Sequence, residues 1–232
     1  VLYLDIEKIK LKNNVWMHGV KANFECDKSR CFSGRLESKI ANKPLSVDLS
    51  ADDLQEKWVI KCQNAGACLG GIGAYNSMKS GSLVVNINTR RKEIRSGQII
   101  PILDGNFTLK RFFLCNTPIV TKFISFISLP GLLDIIRGND SIAFFDMKGN
   151  FSFDNKLLLI KDAMATGPYF NFNVQGNVNV KSRKIDIAGY VTPSLYGVKS
   201  VLDIVPLIGS LFTGTKKAGG LMSAPYNIQD HY

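Results

Sequence analysis

The stretch Tyr169-Phe170-Asn171-Phe172-Asn173-Val174-Gln175-Gly176-Asn177-Val178-Asn179-Val180 decides the fold. Phe170, Phe172, Val174, Val178 and Val180 fall on one side of an extended chain. Asn171, Asn173, Gln175, Asn177 and Asn179 fall on the other, which is the period of two of a half-buried β-strand. At about 3.3 Å per residue such a strand reaches roughly 40 Å, longer than the usual five or six residues. Gly176 interrupts the apolar side and is expected to mark a bulge or bend.

The same alternation continues on both sides. After the polar turn Lys181-Ser182-Arg183, Ile185, Ile187 and Val191 share one side and Lys184, Asp186 and Tyr190 the other, so the two runs read as a hairpin. Residues 142–153 and 157–163 form a similar pair around the turn Asp154-Asn155-Lys156. Four consecutive strands imply an antiparallel meander. A phrase Gly-Asn-apolar-x-apolar begins at Gly105, Gly149 and Gly176 with uneven spacing, which suits recurring hairpin strands and not a solenoid of fixed period. Strand-like runs also occur at 2–11, 45–49, 58–62 and 83–87. Residues 64–78, 118–137 and 193–212 break the pattern and read as helical from apolar spacing and Gly/Pro punctuation. In the last, Leu195, Val198, Leu202 and Val205 form one helical stripe, Pro206 breaks it, and Leu207, Ile208, Leu211 and Phe212 form a second apolar patch. No run reaches the roughly 20 apolar residues needed to span a bilayer; this segment suits a membrane surface, the end of a sheet, or ordinary core.

The chain has 232 residues, 45% hydrophobic and 21% charged, a globular composition that fits one β-domain. Its net charge of +10 suits an anionic partner, nucleic acid or lipid headgroups, but the basic residues are scattered and the Lys/Asn/Ile bias also follows from AT-rich coding. Most aromatics alternate onto the apolar side, which argues against nucleic acid. Five cysteines cannot all pair within the chain, and their spacing matches no metal motif. Cys26 and Cys31 flank a hairpin tip where a disulfide can form; Cys62, Cys68 and Cys115 are expected to be free thiols.

Catalytic motifs are sparse. Of two histidines, His231 lies in a polar terminal stretch and His18 has no evident nucleophile. The Gly-rich run from Gly66 to Gly73 lacks the spacing of a phosphate loop and is better explained by small residues letting a short helix pack closely. Asp146, Asp154, Asp162 and Asp186 fall at turns or on the polar side, with no sign of a converging carboxylate pair. No catalytic residue, cofactor or metal site is expected.

Several phrases, in order, resemble the carboxy-terminal region of AsmA-like proteins of the double-membraned bacterial envelope. Between Gly97 and Gly214 they are Leu129-Pro130-Gly131-Leu132-Leu133, Phe151-x-Phe153, Ala165-Thr166-Gly167-Pro168, Val174-Gln175-Gly176-Asn177-Val178, Ile187-Ala188-Gly189-Tyr190-Val191-Thr192-Pro193 and Val205-Pro206-Leu207-Ile208-Gly209-Ser210-Leu211-Phe212-Thr213-Gly214. Upstream, Asn64-Ala65-Gly66 through Ala74-Tyr75-Asn76-Ser77-Met78 and Ser80-Gly81-Ser82-Leu83 look similar too. The resemblance implies a mainly β protein, a long curved antiparallel sheet forming an apolar groove, with a few short helices including a Pro-broken C-terminal helical segment. It implies a non-enzymatic periplasmic module, anchored to the inner membrane in a longer protein, that moves phospholipids between the two membranes. Residues 1–232 are then a single groove module, a fragment, with 97–214 its best-matching part. Such family members carry an amino-terminal membrane helix and continue beyond the position of Tyr226. Phe151, Phe153, Phe170, Phe172, Val174, Val178, Val180, Ile185 and Ile187 are expected to face the lipid. Leu195, Val198, Leu202, Val205, Leu207, Ile208, Leu211 and Phe212 are expected to cap the groove or touch a membrane. Expected partners are phospholipids, a membrane surface and envelope proteins, and not nucleic acid. The rival reading is a scaffold for outer-membrane protein assembly that binds strands at the sheet edge.

Overall fold

A computed structural model describes residues 1–27, 30–52, 55–93, 99–115, 141–154, 156–168, 170–194 and 224–231. Each alternating run becomes a strand, and each strand pairs with its neighbours in sequence. The strands are β1 (Leu2–Lys10), β2 (Trp16–Cys26), β3 (Cys31–Ile40), β4 (Lys43–Ala51), β5 (Glu56–Cys62) and β6 (Met78–Glu93). They continue as β7 (Ile99–Cys115), β8 (Ser141–Asp154), β9 (Leu157–Thr166), β10 (Phe170–Asn179), β11 (Lys184–Pro193) and β12 (Ala224–His231). All pairings are antiparallel and the spatial order is the sequence order, a twelve-stranded meander. β1 and β12 are opposite edges and do not pair with each other, so the sheet is open and does not curl into a barrel. Of the expected curved groove, the observed part is an open sheet with one apolar face.

The two ends of the sheet differ. At one end, consecutive strands are joined by short turns: Asp27 to Arg30 between β2 and β3, Asp52 to Gln55 between β4 and β5, and the β8–β9 and β10–β11 connections. Asp27 and Asp52 each accept, through Oδ1, from the backbone N–H three residues on, of Arg30 and Gln55, at 2.8 Å, the Asx geometry that nucleates a tight turn. At the other end sit the 3-10 turn Lys12–Asn14 and helix α1 (Ala65–Ile72). β7 and β11 end, and β8 and β12 begin, at this same end.

Helix α1 is shorter than the 64–78 expected. Asn64 caps it by accepting from the Ala67 N–H at 3.1 Å, and Gly73, at φ 73°, closes it with a left-handed cap. The chain then re-enters the sheet at Met78. Its glycines serve close packing, as expected: a Cβ on Gly66 would strike the Met78 carbonyl, and one on Gly71 would come within 2.9 Å of Leu11 Cδ1. The expected helical segments 118–137 and 193–212 lie outside the described residues, save that Pro193 ends β11.

Disulfides join Cys26 to Cys31 at the hairpin tip and Cys62 to Cys68, leaving Cys115 free. The expectation of free thiols at Cys62 and Cys68 is therefore corrected. Because α1 starts directly after β5 and folds back, its first turns bring Cys68 to the end of that strand.

Glycines in the sheet accommodate aromatic rings from the next strand. A Cβ on Gly105 would lie 2.7 Å from Phe151 Cζ, one on Gly149 2.9 Å from Phe107 Cε1, and one on Gly189 2.7 Å from Tyr226 Oη; Phe24 covers Gly34 in the same way. Such pairs let a ring cover the bare backbone of its neighbour. Substituting Gly149 by Ala puts the new methyl 2.7 Å from both Ala163 Cβ and the Asp162 carbonyl oxygen. The expected loss is about 1–3 kcal/mol. Gly70→Ala in α1 meets nothing closer than 3.9 Å and is expected to gain roughly 0.5–1 kcal/mol. Urea unfolding midpoints that move in opposite directions for the two variants are the predicted result.

Candidate functional site

Strand register sets the composition of each face. One line of directly opposed residues crosses the whole sheet: Leu2, Phe24, Gly34, Leu49, Trp58, Ile87, Gly105, Phe151, Ile160, Gly176, Ile187 and Ile228. Every member is apolar or glycine. At about 4.8 Å per strand the line is roughly 50 Å long. The adjacent line on the same face, from Leu4, Ala22, Leu36, Val47 and Ile60 through Val85, Phe107, Gly149, Ala163 and Val174, is equally apolar.

Two irregularities keep this face continuous where simple alternation would break it. On β9 a bulge at Lys161 and Asp162 lets Ile160 and Ala163, three apart in sequence, share the face. Near the α1 end, left-handed φ values at Ser80 (59°), Gly81 (84°) and Arg111 (51°) turn the backbone. Leu109 and Phe112 are consequently both buried on the same side, with Phe144 beside them on β8. Phe112 and Phe144 stack with ring centroids 5.1 Å apart, and Phe172 meets Phe144 edge-on at 5.2 Å.

The expected lipid-facing residues distribute along this face unevenly. Phe172 is buried in the aromatic cluster toward the α1 end, Val174 is buried in the adjacent line, and Ile187 is buried in the same line as Phe151. Phe151, Phe153, Val178 and Ile185 lie on the same face, half-buried, toward the short-turn end, with Val178 directly opposite Ile185. Val180 follows the last residue of β10, is 44% exposed, and donates its N–H to the Lys156 carbonyl at 2.9 Å. Phe170 lies in β10, opposite Pro193. Leu195, Val198, Leu202, Val205, Leu207, Ile208, Leu211 and Phe212 lie outside the described residues. Gly176 has φ 140°, but the expected bulge is not on its strand: the register shift between Val174 and Gly176 comes from the extra residue on β9, and β10 pairs with β11 without a shift. The sequence reading missed Ile160, Ile228, Trp58 and Ile87 as members of the line; strand register, which alternation alone does not supply, places them.

The opposite face is mixed: it exposes Phe113, Phe145, Leu159, Met164 and Tyr190 beside pairs of polar side chains. Asn86 donates to Asn106 at 2.9 Å, Asn150 to Asp162 at 2.9 Å, Gln229 to Asp186 at 3.2 Å, and Thr166 to Asp146 at 2.9 Å. These carboxylates are held apart by their own strands. A shallow depression here is lined by both kinds of side chain, Asn106, Lys148, Asn150 and Asp162 beside Ala163 and Met164. Asn173 also anchors β12 from afar, since Tyr226 reaches over Gly189 and donates its hydroxyl to the Asn173 carbonyl; burial pushes the Tyr226 phenol well above its ordinary range. Among the described residues no group of His, Cys, Asp and Glu could hold a metal ion, and no helix is long and apolar enough to cross a membrane.

Comparison with protein-family models, with curated proteins and with solved structures finds no match. The two faces therefore carry the functional argument.

Asp104 ties the mixed face together across four strands, pairing with Arg90 on β6 and, at 3.2 Å, with Lys161 on β9. Partial burial raises its pKa, but hydrogen bonds from Arg90, Ser152 and Lys161 and the charge of Arg90 outweigh this and hold the carboxyl below the usual range. A depressed pKa in the folded state stabilises the fold above the unfolded value, near 3.8, and that contribution disappears as pH falls through the folded value. Asp104→Asn is therefore expected to be less stable than the parent at pH 7, with the gap narrowing below about pH 4. Unfolding curves at pH 7 and pH 3 check this, and a pH-independent gap contradicts it.

Proposed function

We propose that this chain is a non-enzymatic lipid-binding module whose apolar sheet face receives phospholipid acyl chains. The observation that carries the reading is the unbroken apolar line across all twelve strands. A face of this length exceeds what a domain needs for one compact core, and hydrocarbon laid on it gains about 25 cal/mol per Å² removed from water. Apolar contacts are non-directional, so a chain held this way slides at little cost.

Curvature of the sheet would turn the face into a groove, with Phe151, Phe153, Val178 and Ile185 at its accessible side and Phe172, Val174 and Ile187 at its base. The resemblance of the sequence to AsmA-like envelope proteins supports the wider setting: a periplasmic segment of an inner-membrane-anchored protein that moves phospholipid between the two membranes or keeps their lipid balance. In that setting the apolar residues between Leu195 and Phe212 cap the groove or rest on a membrane.

One observation favours the scaffold reading. Among the described residues β1 is an uncovered edge whose Leu2, Leu4 and Ile6 are exposed, as a strand-binding edge requires. Site-specific photo-crosslinking separates the two readings. A crosslinking side chain at Val178 is predicted to capture phospholipid, and one at Asn177, on the opposite side, to capture none. Equal capture at both positions, or peptide adducts at Leu4 with no lipid at Val178, contradicts the lipid reading.

A further inference from the structure

We infer that the corner where the β1–β2 hairpin meets α1 is a docking surface for an anionic phospholipid bilayer. The inference extends the lipid-binding reading but uses different residues, away from the apolar face. Trp16 at the start of β2 is 37% exposed, with Lys8 Nζ 4.1 Å and Lys10 Nζ 5.8 Å from its ring. Lys8 lies opposite His18, which lies opposite Lys39 on β3, so the basic side chains continue inward from the edge. On the other side of the hairpin turn, the Lys12 side chain runs across Gly73: a Cβ there would sit 3.1 Å from Lys12 Nζ. Gly73 closes α1, and the residue before it, Ile72, is 65% exposed. The two pieces are fixed to each other. Asn13 Nδ2 donates to the Gly70 carbonyl at 2.7 Å, and Leu11 and Val15 pack on Gly71.

Among the described residues none of Lys8, Lys10, Lys12 and Lys39 makes an ion pair with a carboxylate. Four cations without acidic partners, an amphipathic indole and an uncovered aliphatic side chain are what an anionic membrane interface selects. Lysines near such a surface each strengthen binding about fivefold, while Trp sits at headgroup level. A nucleic acid would use the indole for stacking, but here lysine cations already lie over it, and it has no use for Ile72.

The test uses the full chain carrying Trp58→Phe, so that Trp16 is the single tryptophan, and vesicles of phosphatidylcholine with or without about one-third phosphatidylglycerol. Expected results are co-flotation with the anionic vesicles only, weakening with salt, together with quenching of Trp16 by brominated acyl chains. Lys8→Gln/Lys10→Gln/Lys12→Gln is expected to lose roughly a hundredfold in affinity, with Ile72→Asp also weakening binding. A triple lysine exchange at the short-turn end (Lys57, Lys156 and Lys181 to Gln) should leave binding intact. Circular dichroism spectra matching the parent confirm that each variant is folded. Overturning results are no binding to anionic vesicles, equal loss in both triple variants, or binding to DNA in place of vesicles. Acyl-chain capture at Val178 is read separately, so either proposal can fail while the other stands.

Discussion

Backbone hydrogen bonding between strands adjacent in sequence is the constraint on which the rest of this molecule depends. Each strand satisfies its N–H and C=O groups with the strand before and the strand after, so the sheet grows sideways, one hairpin at a time. Nothing in that scheme closes the sheet. Two edges remain, and the apolar side chains that alternation gathers on one face are not covered by a second sheet among the described residues. The aromatic cluster around Phe112, Phe144 and Phe172 buries one end of that face. Toward the short-turn end the same face stays half-buried.

Register converts a local pattern into a surface. A strand paired one residue out of step would send its apolar set to the other side. Here the pairing puts Trp58, Ile87, Phe151, Ile160, Ile187 and Ile228 in one line, and glycines at positions 34, 105 and 176 complete it. Rings laid over glycines keep the face even, because a side chain at Gly105 or Gly149 would displace the ring across from it. On the opposite side, the Arg90–Asp104–Lys161 cluster and the asparagine pairs tie the same strands together through groups that prefer water. The continuous apolar line on one side supports the lipid reading.

Much of this was legible in the sequence. Alternation in residues 170–179 and 184–191 and the turn residues between them follow from the period of two and from turn chemistry. Three features were not. The Cys62–Cys68 disulfide depends on α1 starting directly after β5 and turning back, which spacing of six residues does not reveal. The shared face of Leu109 and Phe112 depends on left-handed backbone at Ser80, Gly81 and Arg111, two of which are residues with no intrinsic preference for it. Val180 continues the alternation in sequence, yet the strand ends before it and the turn carries it into solvent. Pattern shows which residues are apolar on an extended chain; where each strand stops and which partner it meets are tertiary facts.

The central claim is that the apolar face holds lipid. Its most direct test is mass spectrometry of the protein purified without detergent from a bacterial host with a double-membraned envelope. The account predicts co-purified phospholipid at about one or more molecules per chain, lost when Ile185 and Val178 are both replaced by Asp in a variant that remains folded. A parent protein free of phospholipid, or a variant that carries as much as the parent, would contradict it.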